Sequence, residues 1–283
     1  MTNKKAPKVW FITGANRGFG LEIARVVMQS GDLVVATARN LDQLLAILGP
    51  ETTQLLPLRV DVTDQDSIRA AITLVIKKFT KIDILVNNAG YGQLGAFEEI
   101  SSQAIEKQFS TNVFGLMNVT REVLPFMRKQ KSGHIFNFSS AAGLKGGNRY
   151  SVYAASKFAV VGFSESLAEE LKNFGIQITC VEPGYFRTDF LDLSSLRFGT
   201  QVVEEYEGTS TKFKINLSAA NRAQAGDPLK LAKAIITLAK SDNPPVHFPV
   251  GVDTLDWIEQ RNFNINSDID SWRKLSINTA FDA

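Results

Sequence analysis

Short apolar runs alternate with amphipathic stretches along the first half of the chain. Residues 8–13 read as a strand, a glycine-rich turn follows, and 19–29 read as a helix. A second strand at 33–38 precedes a short helix over 41–48, and a third strand covers 54–60. Asp64 caps a helix reaching to Phe79, and 82–86 form a fourth strand. The strands are near-continuous apolar runs rather than alternating ones, which suits a parallel sheet covered on both faces.

The rhythm continues with a long helix over 104–128, where Pro125 marks a kink or an end. Strands follow at 134–139 and 176–181, on either side of an amphipathic helix over 152–172. A helix at 228–240 and a weaker strand at 246–250 complete the pattern. About seven strands in βαβ spacing predict an α/β chain with one doubly wound parallel sheet. No linker or internal repeat divides it, so residues 1–283 read as one domain.

Two segments break the rhythm. Residues 184–227 separate a strand from the next helix, too long a gap to be structureless without a function. This segment carries Phe190, Leu191, Leu193, Leu196, Phe198 and Phe213. It reads as short helices covering an apolar surface, a lid with Gly184, Gly199, Gly208 and Gly226 as bending points. The extension over 252–283 begins with helical character at 253–261, and its polar run from Asn262 reads as loosely ordered.

Composition narrows the function classes. Hydrophobic residues make up 44% and charged residues 21%, the mix of a globular protein that can offset its ordering entropy. A net charge of +2 gives no electrostatic argument for nucleic acid. The single Cys180 excludes an internal disulfide and a cysteine-cluster metal site, and no metal is expected. No run approaches the roughly 18 to 20 apolar residues of a membrane span. The two lysines at the start precede an apolar run limited to 9–12, too short for a secretion signal. A polar lead-in and a cytoplasmic location, with a reduced thiol, are the expectation.

The turn Thr13-Gly14-Ala15-Asn16-Arg17-Gly18-Phe19-Gly20 follows the first strand and opens the first helix. Alone, a glycine-rich turn is a common structural device; its place in a βαβ unit is what suits a dinucleotide. Glycines let the backbone approach a pyrophosphate, and the helix N-terminus supplies free N–H groups and a positive dipole end. The turn lacks the Gly-Lys-Ser/Thr ending of an ATP-binding loop. The second strand ends in Ala36-Thr37-Ala38-Arg39, without the carboxylate that takes the ribose hydroxyls of NAD. Arg39 and Arg17 can instead hold a 2′-phosphate, although both could be ordinary surface arginines. Asp61 and Val62 end the third strand, where they could hold and pack on an adenine. Asn87-Asn88-Ala89-Gly90 follows the fourth strand, at the edge where a ligand crevice forms.

Tyr153 and Lys157 are four apart on a helix and so share a face. Such a pair is commonplace by itself. Ser140 lies just beyond a strand end, and Asn112 sits inside a helix, an unfavourable place for asparagine. Taken together with TGANRGFG at 13–20, Asp61, NNAG at 87–90, YAASK at 153–157 and Pro183-Gly184, these residues make the chain resemble the short-chain dehydrogenase/reductase family over 8–190. No motif residue departs from the family pattern.

The resemblance implies a Rossmann fold and a catalytic tetrad of Asn112, Ser140, Tyr153 and Lys157. It implies cofactor binding by Gly14, Asn16, Arg17, Gly18, Phe19, Gly20, Arg39, Asp61, Val62, Asn88, Ala89 and Gly90. Tyr153, Lys157, Pro183, Gly184, Phe186 and Thr188 complete that set, with Thr188 on the nicotinamide carboxamide. The basic residue after the second strand places the chain with NADP(H)-preferring members. Chemically, Tyr153 would donate a proton to a carbonyl oxygen, its own pKa lowered by Lys157 and by the oxidised cofactor. Ser140 would orient that oxygen, Lys157 would also hold the ribose hydroxyls, and Asn112 would hold a water.

The expected activity is NADPH-dependent reduction of a hydrophobic ketone or aldehyde. Oxidation of an alcohol, steroid or retinoid, and a non-catalytic nucleotide sensor, are the alternatives. Leu94, Leu144, Tyr150, Tyr185, Leu191 and Phe198 are the candidate pocket residues. Family resemblance suggests a homo-dimer or homo-tetramer through the helices at 104–128 and 152–172.

Overall fold

A computed structural model describes residues 6–281. Most of the polar lead-in and the last two residues of the tail fall outside that range. The chain builds a seven-stranded parallel sheet in the order β3-β2-β1-β4-β6-β7-β9. Its strands are β1 (Val9–Thr13), β2 (Leu33–Ala38), β3 (Leu55–Arg59), β4 (Ile84–Asn87), β6 (Gly133–Phe138), β7 (Ile176–Pro183) and β9 (His247–Val250). Successive side chains point to opposite faces, so each strand feeds two cores. Trp10 and Ile12 join Val34, Ala36, Ile84 and Phe136 under α1 (Gly18–Gln29), α2 (Leu41–Leu48) and α8 (Pro228–Leu238). Val9 and Phe11 join Val35, Leu85 and Ile135 on the other face, under α3 (Gln65–Phe79), α5 (Leu116–Gln130) and α6 (Ser151–Leu171).

The sheet explains where a ligand belongs. From β1 the chain steps outward through β2 to β3, then returns to place β4 on the opposite side of β1. The connections therefore diverge above the C-terminal ends of β1 and β4, and a crevice opens there. Local capping fixes the helix starts that face it. Asp64 accepts from the amides of Asp66 and Ser67, and Asp227 accepts from Leu229 and Lys230 with Pro228 in the first turn.

Three parts depart from the expected elements. The helix expected over 104–128 is α4 (Ser102–Phe109), one π turn over Ser110–Gly115, and then α5, which runs through Pro125 to Gln130. A widened turn of this kind is a recurring feature of functional sites, and it puts Asn112 at its middle. The covering segment contains β8 (Leu196–Phe198), paired in parallel with β5 (Gly92–Leu94), and α7 (Glu207–Ala219). Finally, the tail from Asn262 is not loosely ordered: α9 runs unbroken over Val252–Ile277. Polarity suggested a loop, but this stretch holds neither glycine nor proline. Local pairs such as Arg273 with Asp270 at 2.9 Å and Gln260 with Asn264 at 2.9 Å support the helix.

Candidate active site

A cleft of about 870 Å³ lies over the C-terminal ends of the central strands. One arm is built by the glycine turn. Gly14 has a φ of +66°, and a side chain on it would crowd the Ala89 backbone. Gly20 lies against the Gly14 carbonyl and the Asn88 side chain, so no larger residue fits. Asn88 donates to the carbonyls of Thr13 (2.9 Å) and Gly14 (3.0 Å), while the Thr13 hydroxyl accepts from the amides of Asn88 and Ala89, both at 3.0 Å. The NNAG segment thus holds the turn in shape. The N-terminus of α1 has no capping side chain and no acid in its first turn. Its amides remain free for an anion.

Around this turn the expected nucleotide residues converge. Arg17, Gly18, Phe19, Arg39, Asp61, Val62, Ala89 and Gly90 all line the cleft. Asp61 accepts from the amide (2.9 Å) and hydroxyl (2.7 Å) of Thr63. Val62 is buried and presses against Gly115 of the π turn. Asn16 reaches Gln43 at 3.0 Å. Arg39 is exposed at the rim, whereas Arg17 donates to the Ser194 carbonyl at 3.0 Å. Burial lowers the Arg17 pKa from its usual value, offset by Asp189 and reinforced by Arg39 and Arg197. Arg197 of the covering segment joins Arg17 and Arg39 along the cleft.

The other arm holds the Tyr–Lys pair. Tyr153 and Lys157 are buried side by side on α6, with the lysine Nζ 5.9 Å from the tyrosine ring centre. Lys157 donates to the Phe138 carbonyl at 2.7 Å. Burial lowers its pKa to about 8. Burial likewise pushes Tyr153 up to about 12, although a hydrogen bond with Ser140 pulls the other way. In the free protein desolvation dominates at Tyr153, and the phenol stays protonated. The Ser140 hydroxyl also accepts from Ala142 at 3.1 Å, which fixes its direction.

Asn112 is engaged within the protein. Its side chain accepts from the Tyr91 amide (3.1 Å) and donates to the Tyr91 carbonyl (2.9 Å) and the Ser156 hydroxyl (3.3 Å). With those bonds its amide group is committed to clamping the Gly90-Tyr91 loop against α6. Widening of the helix at this point leaves backbone carbonyls with poorer helical partners, and these are the groups able to hold a water.

Pro183 and Gly184 lead into the covering segment. Phe186 packs edge-on against Phe19 at 5.3 Å, and Thr188 sits above Gly18 and caps the turn at Phe190. Tyr150, Tyr185, Phe190, Leu191 and Phe198 wall the substrate end. Two expected pocket residues lie elsewhere. Leu94 is fully buried behind that wall, and Leu144 faces a separate hollow with Phe158 and Ile258. Leu193, expected on the apolar side, is 74% exposed. Gly184, Gly199 and Gly226 are places of close packing, against Asp253, Glu99 and Phe186, while Gly208 lies within α7. Their role as bending points is not supported by this packing.

Sequence reasoning missed three contributions. Trp257 of α9 reaches the cleft and meets Tyr185 edge-on at 6.0 Å. Asp253 accepts from the Tyr185 amide at 2.6 Å and ties the segment's root to α9. Arg149, at φ +67°, forms a buried pair with Glu99 at 3.5 Å and donates to Ser210 of α7 at 2.6 Å. Only its position just before the Tyr153 motif hinted at a role.

A glycine-cradled helix start beside a buried Tyr–Lys pair defines an oxidoreductase that works with a nicotinamide dinucleotide. Residues 8–196 match the short chain dehydrogenase family, and the chain belongs to it. It is 38% identical to "Oxidoreductase BOA17" of Botryotinia fuckeliana over 96% of this chain and 99% of that one. It is 35% identical to a 3-ketodihydrosphingosine reductase of Bacteroides thetaiotaomicron, over 87% and 88%. A short-chain dehydrogenase from Streptomyces avermitilis superposes with a TM-score of 0.88 at 34% identity, covering 98% of this chain and 100% of that one. A Burkholderia phymatum relative solved with NAD has a TM-score of 0.80 at 25% identity, over 93% and 95%. A serine dehydrogenase complexed with NADP+ has a TM-score of 0.73 at 27% identity, over 85% and 93%. The chain is therefore an oxidoreductase of this family, interconverting carbonyl and alcohol groups with NAD or NADP. No helix among the described residues is long and apolar enough to cross a membrane.

Proposed function

We propose that the protein is an NADPH-dependent reductase of a hydrophobic ketone or aldehyde. The observation that carries this reading is the buried Tyr153, beside Lys157 and Ser140 in one cleft with an apolar wall. A phenol held in its neutral form is set to give a proton, which is what reduction of a carbonyl needs.

The roles follow from position. Amides at the start of α1 and the Gly14–Gly20 turn hold the pyrophosphate, and Asp61 with Val62 holds the adenine. Arg39 and Arg17 take the 2′-phosphate, and no carboxylate ends β2 to favour NAD instead. Thr188, Pro183, Gly184 and Phe186 line the nicotinamide end, with Lys157 reaching the ribose. The bound nicotinamide supplies the hydride. Ser140 orients the substrate oxygen while Tyr153 donates its proton to the oxygen as charge develops there. The charge of Lys157 stabilises the tyrosinate, and a proton from solvent returns to it through Lys157 and water at the carbonyls of the Asn112 turn.

Substrate class rests on the wall. Tyr150, Phe190, Leu191, Phe198 and Trp257 offer aromatic and aliphatic surface. The similarity to a 3-ketodihydrosphingosine reductase points the same way, toward a ketone on a long apolar chain. The test is a panel of carbonyl compounds with NADPH and with NADH. Turnover rising with apolar chain length, and faster with NADPH, is expected. Turnover of small polar carbonyls alone would contradict the substrate class.

A further inference from the structure

Three arginines gather at the nucleotide end of the cleft with no carboxylate to neutralise them. Arg17, Arg39 and Arg197 all line it, and the charges of Arg39 and Arg197 both bear on Arg17. Tyr91 shares this neighbourhood: burial raises its pKa, and the charges of Arg197 and Arg39 oppose that rise. Among the described residues none of the three arginines is ion-paired. The acids whose charge reaches Arg17, Asp189 and Asp192, are held instead by Arg222, at 2.5 and 3.1 Å. Like charges gathered in this way repel one another until an anion enters.

The donors for such an anion are in place. Arg17 commits one N–H to the Ser194 carbonyl. Arg197 commits Nη1 to the carbonyls of Leu193 and Leu196, which leaves the edge formed by Nε and Nη2 for a two-pronged contact. Strand alternation gives Arg197 a second attachment. It is the middle residue of β8, which pairs with β5. Its neighbours Leu196 and Phe198 turn to the opposite face and pack in the apolar cluster that contains Tyr153. One three-residue strand therefore presents an arginine on one side and substrate wall on the other.

We propose that Arg197 grips the 2′-phosphate of NADPH from the covering segment, so that NADPH, and not NADH, fastens the wall of the substrate pocket. The proposal rests on the NADPH reading above and extends it: Arg39 and Arg17 select the cofactor, and Arg197 carries that selection to the substrate end. A phosphate monoester bears about −1.5 to −2 charges near neutral pH and offsets the repulsion among the guanidinium groups. The 2′-hydroxyl of NADH is neutral and leaves that repulsion in place. By linkage, the stabilisation that the segment lends to the bound 2′-phosphate is returned to the segment in full.

Equilibrium binding to the full-length protein tests this with four probes: NADPH, NADH, adenosine 2′,5′-bisphosphate and AMP. In Arg197→Gln the dissociation constants of NADPH and of the bisphosphate should rise about tenfold or more, the loss of one charge-assisted contact. Those of NADH and AMP should stay within about twofold, which also reports an intact fold. Arg197→Lys keeps the charge but not the two-pronged edge, and should recover part of the loss. In hydrogen exchange the bisphosphate should slow the amides of 190–198 in the wild type, and AMP should not. At saturating bisphosphate that slowing should be absent from Arg197→Gln. If Arg197→Gln keeps the wild-type preference for the bisphosphate over AMP, the role of Arg197 is overturned and the NADPH reading stands. If the wild type binds those two probes alike, both fall. Equal weakening of NADPH and NADH would place Arg197 on the part the cofactors share, and equal slowing by AMP would detach the segment from the 2′-phosphate; either result overturns the proposal.

Discussion

Glu99 and Arg149 form a buried ion pair, 3.5 Å apart with side chains only 8% and 6% exposed, and Ser210 bridges them. Three distant stretches meet there: the turn after β5, the loop before the catalytic helix, and α7 of the covering segment. The pair therefore fixes the covering segment to the same loop that positions Tyr150 and Tyr153. Breaking a buried pair by removing one partner strands the other charge, which costs about 3–5 kcal/mol. Arg149→Met should lower unfolding free energy by that amount in chemical denaturation, and Glu99→Gln combined with it should recover part of the loss. A change within about 1 kcal/mol for Arg149→Met would mean that the charges are not effectively buried.

Cofactor choice should reside at the end of β2. Arg39 is exposed at the rim and free to meet a 2′-phosphate, while Arg17 already bonds the Ser194 carbonyl. Loss of one charge-assisted bond is worth about 1.5–3 kcal/mol. In Arg39→Ala, KM for NADPH should rise about 10- to 100-fold and KM for NADH should stay near the wild-type value. Equal rises for both cofactors would remove Arg39 from the 2′-phosphate site.

The pH dependence follows from Lys157. Burial lowers its pKa to about 8, so it loses its charge at a pH where an ordinary lysine keeps it. Tyr153, pushed up to about 12, stays protonated across the same range. Reduction needs the proton on Tyr153 and the positive charge beside it. With saturating NADPH, kcat/KM for the carbonyl should be flat at neutral pH and fall as pH rises through about 8. Lys157→Arg, which keeps its charge, should lose that limb. A rate that climbs between pH 8 and 10 would reverse the assigned roles.

Much of the fold was legible because it rests on local pattern. Apolar runs at βαβ spacing mark a buried parallel sheet, and the caps at Asp64 and Asp227 are visible as residues. Tyr153 and Lys157 were legible because four residues make one helical turn, and Gly14 and Gly20 because no side chain fits where they sit. The illegible parts depend on contacts between distant segments. Glu99, Arg149 and Ser210 share no spacing, and neither do Arg17 and Ser194. The π turn at Asn112 is a one-residue widening inside a continuous helical pattern, which periodicity does not register. Burial dominates the Tyr153 pKa in the free protein, and burial is a tertiary quantity. The tail from Asn262 looked like a loop because its polarity hides a three-and-four spacing of Ile265, Ile269 and Trp272 on one face.

The most direct test of the central claim is rapid mixing of Tyr153→Phe, preloaded with NADPH, with a carbonyl substrate that the wild type reduces. The substitution removes one hydroxyl and leaves the ring packed beside Lys157, so NADPH affinity should be unchanged. Single-turnover oxidation of NADPH should slow by about 10²- to 10⁴-fold, the usual contribution of a positioned proton donor. Oxidation at the wild-type rate with the cofactor bound normally would contradict Tyr153 as the acid and with it the mechanism.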